Sequence, residues 1–312
     1  MFMNISTIEK RMLTWNLKRL TMICLIIGLI ITLIGSYFWY TRLYMDNERR
    51  FWAAIENSLS TSSVTRTLSR GGSGNAVVQN QRFVFAPQMV TESKVFFTQR
   101  GATVNTTVVT EGIQYPDAQY SRYTEFTTDQ VREDGVVPTL DSLLNKWEES
   151  QVPEQAREQA RLSYISELVT LAIFGNYDAE FRSDIIDGLQ DSNAYTIDFD
   201  RARDSTIGDD DVIVYSVVVN LKPYATQLQR AFERSGYGEF PPLNPDNYQD
   251  DSDLSTSIAI YKKNNAIASI SFGDREEMYT GYGVQRTVER PQSEFSQGEL
   301  EQAVQRELQG VL

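Results

Sequence analysis

The sequence predicts an α+β protein: a single N-terminal transmembrane helix, then a mainly antiparallel, curved β-sheet domain packed with several α-helices. Three observations predict it. Leu20 to Tyr40 is apolar and free of charged residues. β-branched and aromatic residues alternate at period two from Val64 to Phe126 and again from Tyr195 to Arg290, as in strands with one face in a core. Between those regions apolar residues recur three and four apart, the spacing of one helix face.

The first element is residues 20–40. As a helix its 21 residues rise about 31 Å, close to the thickness of a bilayer's hydrocarbon core. Lys10, Arg11, Lys18 and Arg19 precede it, and Trp15, Tyr37, Trp39 and Tyr40 flank it as interfacial side chains do. Gly35 and Ser36 lead into bulky aromatics rather than a small-x-small cleavage site, so an uncleaved signal anchor is expected. Four Lys/Arg before the segment and three in the ten residues after it place residues 1–19 as a cytoplasmic head and the rest outside, a single-pass protein of the cell membrane. Cys24 reads as a small hydrophobe. Gly28, Thr32, Gly35 and Ser36 form a stripe of small residues that would let two copies pair through this helix as a homodimer.

Residues 41–60 continue in helical register through Met45, Trp52, Ile55 and Leu59, a stalk leading to a domain over 61–291. Val64, Arg66 and Leu68 alternate with Thr65 and Thr67, and Phe83 and Phe85 share one face of the next strand. Two strands flank Gly101 as a hairpin, and Tyr120 to Phe126 follows Pro116. Pro138 is placed to start a helix carrying Leu140, Leu143, Leu144 and Trp147. Pro153 opens a longer one ending by Gly175, and Glu180 to Leu189 is a third. Strands return at Tyr195 to Phe199 and Val212 to Val219; the latter is apolar on both faces and is expected at the centre. Pro223 begins a helix that Gly236 ends. Ser257 to Tyr261 and Ala266 to Phe272 make a hairpin, Met278 to Arg290 a further strand. Ser296 and Glu299 fit a capping box for a C-terminal helix within 292–312.

Charge and composition narrow the function. Residues 1–50 carry +4, whereas the remainder holds 22 bases and 39 acids, −17. That field argues against nucleic acid as a partner. The chain has no histidine, so Ser-His-Asp triads, histidine acid/base chemistry and histidine metal ligands drop out. No cysteine follows Cys24, so the domain holds no disulfide, a pattern that points to a bacterial cell envelope.

The order of elements, and the run VIVYSVVVNLKPYATQLQRAFERSG from Val212 to Gly236 in which a strand steps through Leu-x-Pro-Tyr into a short helix, resembles envelope lipoproteins of the LolA/LppX class. The resemblance spans about residues 50 to 290. It implies a curved half-barrel with helices on its concave side and an association with lipids or lipoproteins. The chain departs from that class by carrying an apolar anchor in place of a lipidated cysteine, which implies a fixed acceptor rather than a shuttle.

The expected function is therefore an extracytoplasmic binding module, for lipid or for another envelope protein, and not an enzyme. Its apolar cavity would be lined by Phe83, Phe97, Tyr164, Leu168 and Phe232. The alternatives are a solid structural or assembly domain without a cavity, and a carboxylate-based hydrolase for which no catalytic pair is assigned. No cofactor is expected beyond calcium, which would draw on Asp246, Asp250, Asp251 and Asp253, anions that repel one another without a counter-ion. This loop lacks the central glycine and closing glutamate of an EF-hand.

Overall fold

The computed structural model describes residues 22, 25, 28–37, 45–72, 75–86, 88–101, 104–132 and 134–309. The chain divides into two compact units, residues 1–50 and 51–312.

The first unit corrects the opening expectation. Among the described residues no helix is long and apolar enough to cross a membrane. Residues 1–21, 23, 24, 26, 27 and 38–44, with the basic head, Cys24 and much of the predicted segment, lie outside the described residues. The transmembrane helix, the signal anchor, the single-pass topology with a cytoplasmic N-terminus, and membrane contact through residues 20–40 therefore do not stand. The homodimer through that helix goes with them. Of its small-residue stripe, Thr32 Oγ1 donates to Gly28 O at 2.9 Å within the helix.

The second unit is a mixed α+β domain. Helix α1 (Met45–Leu59) runs into it. The remaining helices are α2 (Arg157–Leu168), α3 (Ala179–Asp191), α4 (Leu221–Arg234) and α5 (Glu299–Glu307). One sheet carries thirteen strands. These begin with β1 (Ser63–Gly72), β2 (Asn75–Val84), β3 (Val90–Arg100), β4 (Asn105–Gln114), β5 (Ala118–Thr128) and β6 (Glu148–Gln151). Then come β7 (Tyr195–Ile197), β8 (Arg203–Ile207) and β9 (Asp210–Asn220), followed by β10 (Asp253–Tyr261), β11 (Ile267–Phe272), β12 (Arg275–Thr280) and β13 (Phe295–Ser296).

The order β13-β6-β5-β4-β3-β2-β1-β12-β11-β10-β9-β7, with β8 also on β9, is two meanders joined where β1 meets β12. At that seam Thr65 lies opposite Thr280 and Leu68 opposite Glu277. The sheet is open and not strongly curled, so the expected curved half-barrel is corrected: its end strands, β13 and β7, do not pair. Side-chain alternation gives the sheet one face packed by helices. Phe51, Ile55 and Leu59 of α1, Ile185 and Leu189 of α3, and Leu228 and Phe232 of α4 are all buried, as are Tyr215, Ile258, Ile270 and Tyr279 on the strands. Gly188 permits close packing of α3 on α4, since a Cβ there would meet the Gln227 amide at 2.6 Å.

Three segments depart from the periodicity reading. After Pro138 there is a turn, not a helix: Leu143 N and Leu144 N donate to Leu140 O, and Asn145, at φ 63°, gives its N–H to Tyr123 O instead. Its leucines pack on Leu300, Ala303 and Val304 of α5. The helix after Pro153 stops at Leu168. Residues 169–175 run on as a bend and irregular chain whose carbonyls are taken by tyrosine hydroxyls: Tyr224 donates to Thr170 O at 2.7 Å and Tyr195 to Leu171 O at 2.9 Å. The strand expected to reach Arg290 ends at Thr280, because Gly281 and Gly283 adopt φ of 65° and 64°. Residues 281–294 then cross the sheet as a strap. The predicted box does not cap α5: its N-cap is Gly298, at φ 78° and with no side-chain cap hydrogen bond, while Ser296 N donates to Glu299 Oε2 at 2.7 Å ahead of the helix.

Helix α3 supplies a pH prediction. Asp178 caps it by accepting from Phe181 N at 2.9 Å and pairs with Arg234 Nη2 at 2.7 Å. These interactions hold its carboxyl below the usual aspartate range, against a small opposing effect of burial. The stabilisation is present above the unfolded-state pKa, near 3.9, and is lost as pH falls through the lower folded value. Asp178→Asn keeps a capping oxygen but neither titrates nor pairs. Its thermal midpoint falls below wild type at pH 7, and the two converge by pH 2.5. A gap independent of pH would contradict this origin.

Candidate functional site

A concavity of about 340 Å³ lies where α2, the turn after β4 and the end of α4 meet. Its wall is largely Met89, Tyr115, Pro116, Ala160, Tyr164 and Tyr237. The end of α4 explains why Tyr237 stands there. Gly236 at φ 76° lets the chain reverse. Gly236 N then donates to Glu233 O at 3.0 Å and Tyr237 N to Phe232 O at 2.9 Å, a Schellman closure that folds the following aromatic back onto the helix. Tyr237 meets the Phe232 ring edge-on at 5.7 Å and the Tyr164 ring at 5.7 Å.

Two arginines complete the wall. Arg161 Nε donates to Glu158 Oε2 at 2.9 Å, and its Nη2 contacts the other oxygen. Its Nη1 is buried beside Gly238 with no acceptor. Arg157 lies near enough to help depress Asp117, whose carboxyl is held down first by its hydrogen bond with Arg290. Burial pushes the Tyr164 hydroxyl up to about 12, although the Thr91 and Tyr237 side chains draw it down. It therefore remains a neutral group at physiological pH.

Tyr164 also borders a smaller, polar cavity of about 220 Å³ with Gln79, Gln81, Thr91, Gln119 and Glu167. Beneath it lies the most buried ionic cluster of the domain. Arg66, 2% exposed, donates to Gln81 Oε1 at 2.5 Å and Glu167 Oε2 at 3.3 Å, and lies 3.8 Å from Glu277 Oε1. Glu277, 0% exposed, accepts from Thr170 Oγ1 at 2.7 Å and from the Tyr279 hydroxyl, with Arg275 Nη2 at 2.5 Å. Burial first, and then the Glu277 carboxylate, push the Tyr279 hydroxyl well above the tyrosine range.

Of the five residues expected around a cavity, Tyr164 is in its wall and Phe232 stands behind Tyr237. Phe83 is buried on β2 with the Arg66 guanidinium 5.2 Å over its ring. Phe97 is half-buried on β3, and Leu168 is buried at the end of α2. Asp246 sits in a short 3₁₀ turn where its N–H donates to Asn244 Oδ1 at 3.0 Å. Asp250 pairs with Lys222 Nζ at 2.6 Å, Asp251 is exposed, and Asp253 begins β10. Among the described residues no group of three or more His, Cys, Asp or Glu side chains is placed to hold a metal ion.

No protein-family model matches the chain. No curated protein matches it. Among solved structures, LprF from Mycobacterium bovis is similar at 11% identity and a TM-score of 0.35, over 79% of this chain and 97% of that one. The likeness is distant, family-level at most, and carries nothing about ligand or activity.

Proposed function

We propose that the domain is a binding module rather than an enzyme, and that its ligand is a single-chain amphiphile with an anionic head. The observation that carries this reading is a largely apolar cavity whose wall also holds two arginines, Arg157 and Arg161, the latter with a buried Nη1 that has no acceptor. A buried charged donor without an acceptor is costly, and a ligand carboxylate would relieve it while Tyr115, Tyr164 and Tyr237 cover the chain. At about 340 Å³ the cavity is at the small end of ligand sites, which run from roughly 300 to 1,000 Å³. That suits one short acyl chain and not a diacyl lipid. An extracytoplasmic place in the envelope belongs to the same proposal, on the composition and the resemblance given above.

The test is titration of the full chain with dodecanoate, followed by calorimetry and native mass spectrometry. Saturable one-to-one uptake is expected. Ala160→Trp, which fills the cavity, and Arg161→Gln, which removes the charge, each weaken it at least tenfold. Absence of saturable uptake, or uptake indifferent to both substitutions, overturns the proposal.

A further inference from the structure

A second concavity, of about 500 Å³, lies on the sheet face opposite α2, under the strap. Register builds its floor. Thr65, Arg82, Glu92 and Ile113 form one cross-strand row. Asn80, Lys94, Glu111 and Arg122 form the next on the same face. Arg66 and Gln81, the neighbours of Thr65 and Arg82 in sequence, point the other way and reach Glu167 of α2. The strap is pinned on either side of the cleft. Arg82 Nη2 donates to Val284 O at 2.6 Å, and the Tyr115 hydroxyl to Val288 O at 3.0 Å. Between those pins Arg286 overhangs the floor.

The charges do not balance. Arg82 Nη1 pairs with Glu92 at 3.3 Å. Lys94 Nζ at 3.0 Å and Arg122 Nη2 at 2.5 Å share the one carboxylate of Glu111. Arg122 also lies 4.4 Å over the Trp147 ring, which closes one end. Arg286 is exposed and makes no hydrogen bond or ion pair with the described residues. Four cations thus face two carboxylates in a cleft, on a unit whose overall charge is strongly negative. A local excess of two positive charges on an acidic protein lies open to an anion. The wider negative field is screened beyond about 8 Å at physiological ionic strength, so the contacting cations decide the affinity.

We propose that this cleft binds a phosphoryl group carried by a small organic molecule. A phosphomonoester carries about −1.5 to −2 at neutral pH, which matches the excess. Guanidinium groups present paired N–H donors to such oxygens, and three of the four cations are arginines. The space exceeds one phosphate, and Ile113 with Trp147 offers an apolar side for the esterified group. Such a phosphoryl group is carried by a soluble metabolite or by a lipid headgroup, and the experiment separates the two.

The full chain is titrated with glycerol 3-phosphate at low salt, reading Trp147 fluorescence and heat, and is sedimented with phosphatidylcholine vesicles with and without phosphatidic acid. Saturable binding of glycerol 3-phosphate that falls at least tenfold in Arg286→Glu supports the site with a soluble ligand. Sedimentation with phosphatidic acid alone, lost in Arg286→Glu, supports it with a headgroup. Binding of neither probe, or equal binding by wild type and variant, overturns it. Among the described residues Arg286 holds nothing, so an unchanged unfolding midpoint confirms that the variant is intact. The cleft shares no lining residue with the 340 Å³ cavity, so dodecanoate uptake stays the same in Arg286→Glu and the two proposals fail separately.

Discussion

Glu277→Ala lowers the stability of the domain by about 3–5 kcal/mol, the usual cost of removing one partner from a buried ion pair. The carboxylate is fully buried and serves four groups: Arg66, Arg275, Thr170 and Tyr279. Its loss leaves the Arg66 guanidinium, almost as deeply buried, with only Gln81 and the half-exposed Glu167. It also opens a void among polar atoms that have no water to turn to. The position matters as much as the burial, because Glu277 and Arg66 sit on the two strands that join the meanders. Urea unfolding followed by circular dichroism should show a lower midpoint with an unchanged slope. A loss below about 1 kcal/mol would mean that Glu167 alone neutralises Arg66, and that the seam is held by packing.

Phe51→Ala costs about 3–5 kcal/mol as well, through a cavity rather than a charge. Phe51 is wholly buried on α1 and meets four rings: Trp52 at 5.5 Å, Tyr215 at 5.6 Å, Tyr195 at 5.8 Å and Phe199 at 6.2 Å. Three of these come from the far end of the sheet, so the residue fastens α1 to β7, β9 and the turn between β7 and β8. For a unit of this size the loss corresponds to roughly 10 °C in the thermal midpoint, read by calorimetry. A fall of only a degree or two would place the helix outside the cooperative core.

Much of the second unit was legible as pattern. Alternation located β1 to β5, and β-branched runs around Lys262 to Asn265 located the β10–β11 hairpin, which is buried on both faces from Ile258 to Tyr261 and from Ile267 to Ile270. Gly236 located the end of α4. Its consequence, an aromatic folded back onto Phe232, was legible in Tyr237 as the residue just past the glycine. Arg66 was visible too, since it shares the apolar phase of Val64 and Leu68; a charge in that phase announces a buried partner, yet alternation cannot say which. The partner, Glu277, sits on a strand 211 positions later, and nothing local ties the two together. The leucines after Pro138 were apolar at helical spacing but close a turn, because Asn145 takes its N–H to another strand. The strand Val212 to Val219 was placed at the centre on its two apolar faces, whereas it stands next to the edge. On one of its faces Val212 clusters with Ala259, Tyr261 and Ala268 of the neighbouring strands of the same sheet. The cavity and cleft were not legible at all, because each is assembled by segments that meet only through tertiary register.

The ends of the sheet carry a further consequence. At one end stands β13, of two residues. At the other, the outermost position on β9 is divided between β7, of three residues, and β8, of five, with a 3₁₀ turn between them that buries Phe199. A strand from another chain needs a continuous row of free backbone groups to dock, and the β7–β8 margin offers none longer than five residues. At the other margin β6 pairs β5 only from Ala118 to Ser121, so the run of β5 from Arg122 to Thr128 is where a further strand would have to add.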